Sequence, residues 1–146
     1  MIRSESQVAL DEVQQACRHA ARLYEEDADI IDAAPLAALF RELAQQRERM
    51  ADRLERQLRR LGELPSALDE DRETLSRVKD RLQARLSVDE CRTLLDNRLQ
   101  TEDKLQQLVD HASTQQLPAP ALAQLEDARR QIQLAQRRLR SAMGAL

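Results

Sequence analysis

Residues 36–61 read LAALFRELAQQRERMADRLERQLRRL, and this stretch decides the fold. Its apolar residues are Leu36, Leu39, Phe40, Leu43, Met50, Leu54, Leu58 and Leu61. Steps of three and four place them on one face of an α-helix. The stripe has one irregular member, Arg47, where an apolar residue is due. Gly62 suits the position just past the helix C-terminus, and Pro65 follows it. Arg53, Arg56, Arg59 and Arg60 crowd the last turns, where cations complement the helix dipole.

The same periodicity extends in both directions. A first helix is expected over about 4–31, capped by Ser4, with Leu10, Val13, Cys17, Ala20, Tyr24, Ala28 and Ile31 on its stripe. Its small residues let a neighbouring helix approach closely. The segment Asp32-Ala-Ala-Pro35 ends it, and Pro35 is pre-shaped for the first turn of a second helix over 35–61. A shorter helix is expected over 66–86, carrying Leu68, Leu75, Val78, Leu82 and Leu86. Ser87-Val-Asp-Glu90 is a capping box that starts the next helix, over 88–113, with Cys91, Leu94, Leu95, Leu105, Leu108, Val109 and Ala112 inward. Leu117-Pro-Ala-Pro120 breaks the chain before a last helix over 119–143, with Leu122, Leu125, Ile132, Leu139 and Met143 on its stripe.

Composition agrees with an all-α reading. The 146 residues suit one domain, residues 1–146; 42% are hydrophobic but only 1% aromatic, so aliphatic side chains must build the core. Two hairpins of long helices joined by a short extra helix predict an antiparallel four-helix bundle, the ferritin-like topology if that connection crosses the length of the bundle. A five-helix up-and-down bundle is the alternative. A net charge of −3 with interspersed signs argues against nucleic acid as a partner. No apolar run reaches a membrane span and no signal peptide is visible, so a cytoplasmic location is expected. Cys17 and Cys91 have no metal or redox spacing and read as small buried hydrophobes.

Polar residues interrupt three stripes: Arg47; Arg98 and Glu102; and Arg129 and Gln136. Arg47 and Glu102 each fall near a helix midpoint, and a buried charge asks for an opposite one. Two readings follow. In one, Arg47, Glu102, Arg98 and Gln136 form a buried polar cluster, with Tyr24 completing its hydrogen bonds. In the other, these residues edge their stripes and the arginines reach water. A ferritin-type di-iron site occupies this mid-bundle level and needs paired Glu-x-x-His motifs. None is present: Leu105 follows Glu102 at the third position, and neither His19 nor His111 has Glu three residues before it. No nucleophile signature or phosphate-binding loop occurs. Neither catalytic residues nor a cofactor are therefore expected.

The run from Leu36 to Gly62, with its LxxLFxxLAxxRxxxAxxLxxxLxxLG spacing, resembles a bacterial ferritin-like family of unknown function. Three further elements are similar to that family: Cys17-Arg18-His19-Ala20-Ala21 to its first-helix Y/F-x-x-AA, Thr101-Glu102-Asp103 to its GED, and Leu117-Pro118 to its LP break. The resemblance spans about Val8 to Met143 and implies a ferritin-like bundle in which Arg47 and Glu102 stand for the family's Arg and Glu. The chain departs from the family where DEDRETLSRVKDRL replaces a Gly-rich, His- and Trp-containing stretch, where Gln136 replaces a His, and where Thr101 replaces the Gly of GED. The expected function is a non-enzymatic structural or protein-interaction module, acting on a protein partner or by self-association as a homodimer, with Ala-rich helix 1 as a contact face. The alternative is an iron-handling or redox bundle whose ligands come from Glu25, Glu26, Asp27, Glu102, His19 or His111.

Overall fold

The computed structural model describes residues 4–66 and 85–146, and among them four helices and no strand. These are α1 (Glu5–Ile30), α2 (Ala34–Arg60), α3 (Val88–Ser113) and α4 (Ala119–Gly144). The helix expected over 66–86 lies outside the described residues, apart from its ends.

Local chemistry sets the helix limits. Ser4 caps α1 by accepting from the Gln7 N–H, and Gln7 accepts in return from the Ser4 N–H, a reciprocal box. Ser87 and Glu90 form the same box at the start of α3, at 3.1 and 3.2 Å. Gly62 closes α2 with φ +79°, which brings its N–H to the Arg59 carbonyl and the Glu63 N–H to the Leu58 carbonyl. That is a Schellman turn, and the left-handed φ explains the glycine.

α1 packs on α2 and α3, and α4 packs on α3 and α2. The two diagonal pairs, α1 with α4 and α2 with α3, make no close backbone approach. The result is a four-cornered helical bundle. Its interior positions recur every three and four residues, and α4 shows this most regularly: Ala121, Leu125, Ala128, Ile132, Ala135 and Leu139 are all buried. A strict seven-residue repeat of this kind is the packing pattern of left-handed helical bundles.

This corrects the expected α4 stripe. Leu122, placed inward from sequence, is exposed, and alanines fill alternate interior positions instead. Small side chains there bring α4 close to its neighbours. α1 departs from a single stripe for a different reason. It touches two helices and buries two adjacent faces, including Ala9, Ala20, Ala21 and Ala28. These four alanines pack inside the bundle.

The apolar interior forms two separate clusters. One joins Leu10, Val13 and Cys17 to Met50, Leu54, Leu58, Leu105, Val109, Leu125 and Ile132. The other joins Tyr24, Ala28 and Ile31 to Leu36, Phe40, Leu43, Cys91, Leu95 and Leu139. On α2 the gap between them is Arg47, and on α3 it is Arg98 and Glu102.

Candidate functional site

A polar layer at mid-bundle separates the two apolar clusters. Arg47 comes from α2 and Glu102 from α3, across the diagonal, and both are 0% exposed. The Arg47 Nε donates to Glu102 Oε1 at 3.1 Å and to Oε2 at 3.2 Å, and Nη2 donates to Oε1 as well. Multiple charge-assisted bonds of this kind are what a fully desolvated ion pair requires.

Two more charges belong to the layer. Arg98, one turn before Glu102 on α3, lies with its Nε 3.4 Å from Asp27 Oδ2 on α1, and Asp27 is fully buried. The layer thus holds two cations and two anions, a formal sum of zero. Tyr24 comes from α1, its ring edge-on to Phe40 at a centroid distance of 5.5 Å. Its hydroxyl makes no hydrogen bond of ordinary geometry, yet it lies within electrostatic reach of Glu102, Arg47 and Arg98.

These surroundings move protons away from neutrality. Burial pushes the Tyr24 phenol well above its usual value, and the Glu102 carboxylate adds to that, against the two arginines. Cys17, fully buried two turns before Tyr24 on α1, is pushed up to about 12, first by burial, with Arg47 opposing and Glu102 reinforcing. Burial opposes the charge on Arg47, but the Glu102 carboxylate outweighs it and the guanidinium is raised above its ordinary value. None of these three groups is poised to exchange a proton near pH 7.

Gln136, grouped with the layer from sequence, and Arg129, read as inward on the same stripe, lie elsewhere. Gln136 is half-buried and donates to Asp103 Oδ1 at 2.8 Å on the outer α3–α4 seam. Arg129 pairs with Asp110 and Glu126 on that seam. Asp27 was missed because Glu25-Glu26-Asp27 looks like a solvated acidic run. Only the second buried face of α1 turns Asp27 inward.

A second buried polar group was also missed. Asp11 is 2% exposed and accepts from Gln14, Gln15 and both the N–H and hydroxyl of Ser66, the last at 2.6 Å. It pins the chain leaving α2 against α1. Arg18 clasps α2 from outside, reaching Glu48 at 2.5 Å, Asp52 at 3.2 Å and Glu55 at 2.9 Å.

The residues weighed as alternative metal ligands do not converge. His19 and His111 are exposed on α1 and α3, Glu25 is exposed, and Glu26 and Asp27 are buried. Among the described residues no three His, Cys, Asp or Glu side chains group as a cation site. Also among them, no helix is long and apolar enough to cross a membrane. No protein-family model, no curated protein and no solved structure matches this chain.

Proposed function

We propose that this chain is a ferritin-like antiparallel four-helix bundle whose mid-bundle layer holds side-chain ion pairs in place of metal. In this reading it acts as a non-enzymatic structural or protein-interaction module in the cytoplasm. The observation that carries it is the buried Arg47–Glu102 pair. A guanidinium at the level where a di-iron site needs its ligands repels cations and occupies the carboxylate that would bind them.

The topology has its own support. The first turns of α1 and the last turns of α2 share one apolar cluster, as do the end of α3 and the start of α4. The opposite ends share the other. Leu61 packs against the first cluster and Leu86 against the second, so α2 ends and α3 begins at opposite ends of the bundle. This supports a ferritin-like crossover in the proposed reading. Two buried free thiols, Cys17 and Cys91, suit a reducing compartment.

The experiment is anaerobic Fe(II) addition to the purified chain, followed by removal of free iron, elemental analysis and absorbance on exposure to air. The expected result is iron well below one per chain and no oxidation beyond the buffer rate. Stoichiometric iron that is lost in Glu102→Ala would overturn the reading.

A further inference from the structure

The fold sorts charges that the sequence mixes. α2 carries seven arginines and four acids, and α4 five arginines and two acids. α1 carries two arginines and seven acids, and α3 three cations and six acids. α2 packs beside α4, and α1 beside α3. One side of the bundle is therefore basic and the opposite side acidic. The net charge of −3, which in the sequence argues against a nucleic-acid partner, is an average over two unlike sides.

Two ion pairs across the α2–α4 seam mark the residues of the basic side: Arg53–Asp127 at 3.4 Å and Arg138–Glu42 at 2.6 Å. Steps of three and four from Arg53 put Arg49, Arg56 and Arg60 on one ridge of α2, and all three are exposed. On α4, Arg130 lies 3.6 Å from Asp127, and Leu134 and Arg137 follow it on the exposed surface. Glu42 and Asp127, the acids at this seam, are each held by an arginine. Arg56, Arg60 and Arg137 join no ion pair among the described residues, so their guanidinium groups are open to an outside anion.

We infer that this side of the bundle binds the phosphate backbone of duplex DNA, without regard to base sequence. Its cations are all arginines, whose guanidinium takes phosphate oxygens in pairs. From Arg49 to Arg60 the ridge rises about 16 Å at roughly 1.5 Å per residue, enough to follow about five phosphates of one strand. The α4 arginines form a second row roughly 10 Å away, the usual spacing of packed helices. Two such rows suit the strands that border the minor groove of B-DNA, about 6 Å wide, and not the wide minor groove of A-form RNA. Tyr24 and Phe40 are both in the core, so no aromatic ring is offered for stacking on unpaired bases. Leu134, 48% exposed, is the large apolar side chain on this side, too little to anchor the chain in a bilayer. The acidic side does not cancel the attraction, because the bundle is roughly 20 Å thick and the screening length at physiological salt is about 8 Å.

Fluorescence anisotropy of a labelled 20-base-pair duplex of mixed sequence, titrated with the full chain at 50 to 200 mM salt, tests the inference. The expected result is binding at micromolar protein in 50 mM salt, equal for unrelated sequences, with a slope of log affinity against log salt of about −4. Arg49→Glu combined with Arg56→Glu weakens binding about tenfold or more and makes the slope shallower by about two. Arg56→Glu and Lys104→Glu change the net charge equally, but Lys104 lies on α3, on the acidic side, so only Arg56→Glu weakens binding. All three positions are exposed, and far-UV circular dichroism checks that the variants keep their fold. No binding at 50 mM salt overturns the inference, as does an equal loss from Lys104→Glu. It is also overturned by tighter binding to duplex RNA or to vesicles rich in anionic phospholipid, or by polyglutamate displacing the duplex as well as unlabelled DNA does.

Discussion

Arg47→Met should destabilise the protein far more than Arg47→Met combined with Glu102→Leu. The polar layer sums to zero with two arginines and two carboxylates. Arg47→Met leaves one cation against two anions, and Glu102→Leu leaves two cations against one anion. Both survivors are 0% exposed, so water cannot compensate them. Breaking a buried pair in this way costs about 3–5 kcal/mol. Stabilities of single domains are about 5–15 kcal/mol, so either variant loses a large share of its total. At roughly 2–4 °C per kcal/mol for a chain near this size, the melting temperature falls by about 6–20 °C. The double variant leaves the Arg98–Asp27 pair neutral and fills the space with apolar volume. It should be near the parent or more stable by about 1–4 kcal/mol. Urea denaturation of the four proteins at pH 7 closes the cycle, and the expected coupling energy is several kcal/mol. Single variants that each cost under about 1 kcal/mol would refute the claim that the pair is desolvated. A double variant equal to the sum of the singles would refute the claim that the two charges answer each other.

Three further outcomes follow from local features. The Cys17 thiol, pushed up from 9.0 to about 12, is protonated in the folded chain at pH values where the unfolded chain has lost its proton. Stability on its account is complete below about pH 9 and falls as pH rises toward 12, by up to about 1.4 kcal/mol per pH unit, and Cys17→Ala should flatten that slope in urea titrations. Ser87→Ala removes one acceptor of the α3 cap and should cost about 1 kcal/mol in thermal melts, with hydrogen exchange quickening in the first turn of α3. Gly62→Ala meets no atom within 4 Å, but its φ of +79° is unfavourable to a side chain, so the loss of about 1 kcal/mol should appear in stability without any change in helix content.

The sequence made some parts of this architecture readable because their signals are local. Ser87 and Glu90 announce a cap by spacing alone, and Gly62 announces a stop. Arg47 stood out because its neighbours on the stripe are all large and apolar, which makes a single charge conspicuous. The less legible parts depend on how many neighbours a helix has. α1 touches two helices, and its second buried face carries Asp11, Gln14 and Asp27, which a one-stripe reading sends to solvent. The error on α4 has the opposite origin. Ala121, Ala128 and Ala135 are interior, but alanine is common on both sides of a helix and marks neither. Arg129 and Gln136 then took the inward role by their spacing from Leu125, Ile132 and Leu139. They sit at the edge of that row, where a small rotation of the helix decides between core and seam.

The alternation of alanine and leucine-type residues along α4 has a consequence for how firmly that helix knows its place. Slid by seven residues, about 10.5 Å along its axis, α4 would exchange alanine for alanine and leucine for isoleucine, and the interior would scarcely register the change. Arg47, Arg98 and Glu102 forbid such degeneracy for α2 and α3, but α4 contributes nothing to that layer. Its alignment is stored at the periphery instead, in the short link from Thr114 to Pro118 and in the contacts of Asp127 with Arg53, Gln136 with Asp103, and Arg138 with Glu42. Three helices carry their address in the core, and the fourth carries it on its skin, where salt and a single cut in the link can erase it.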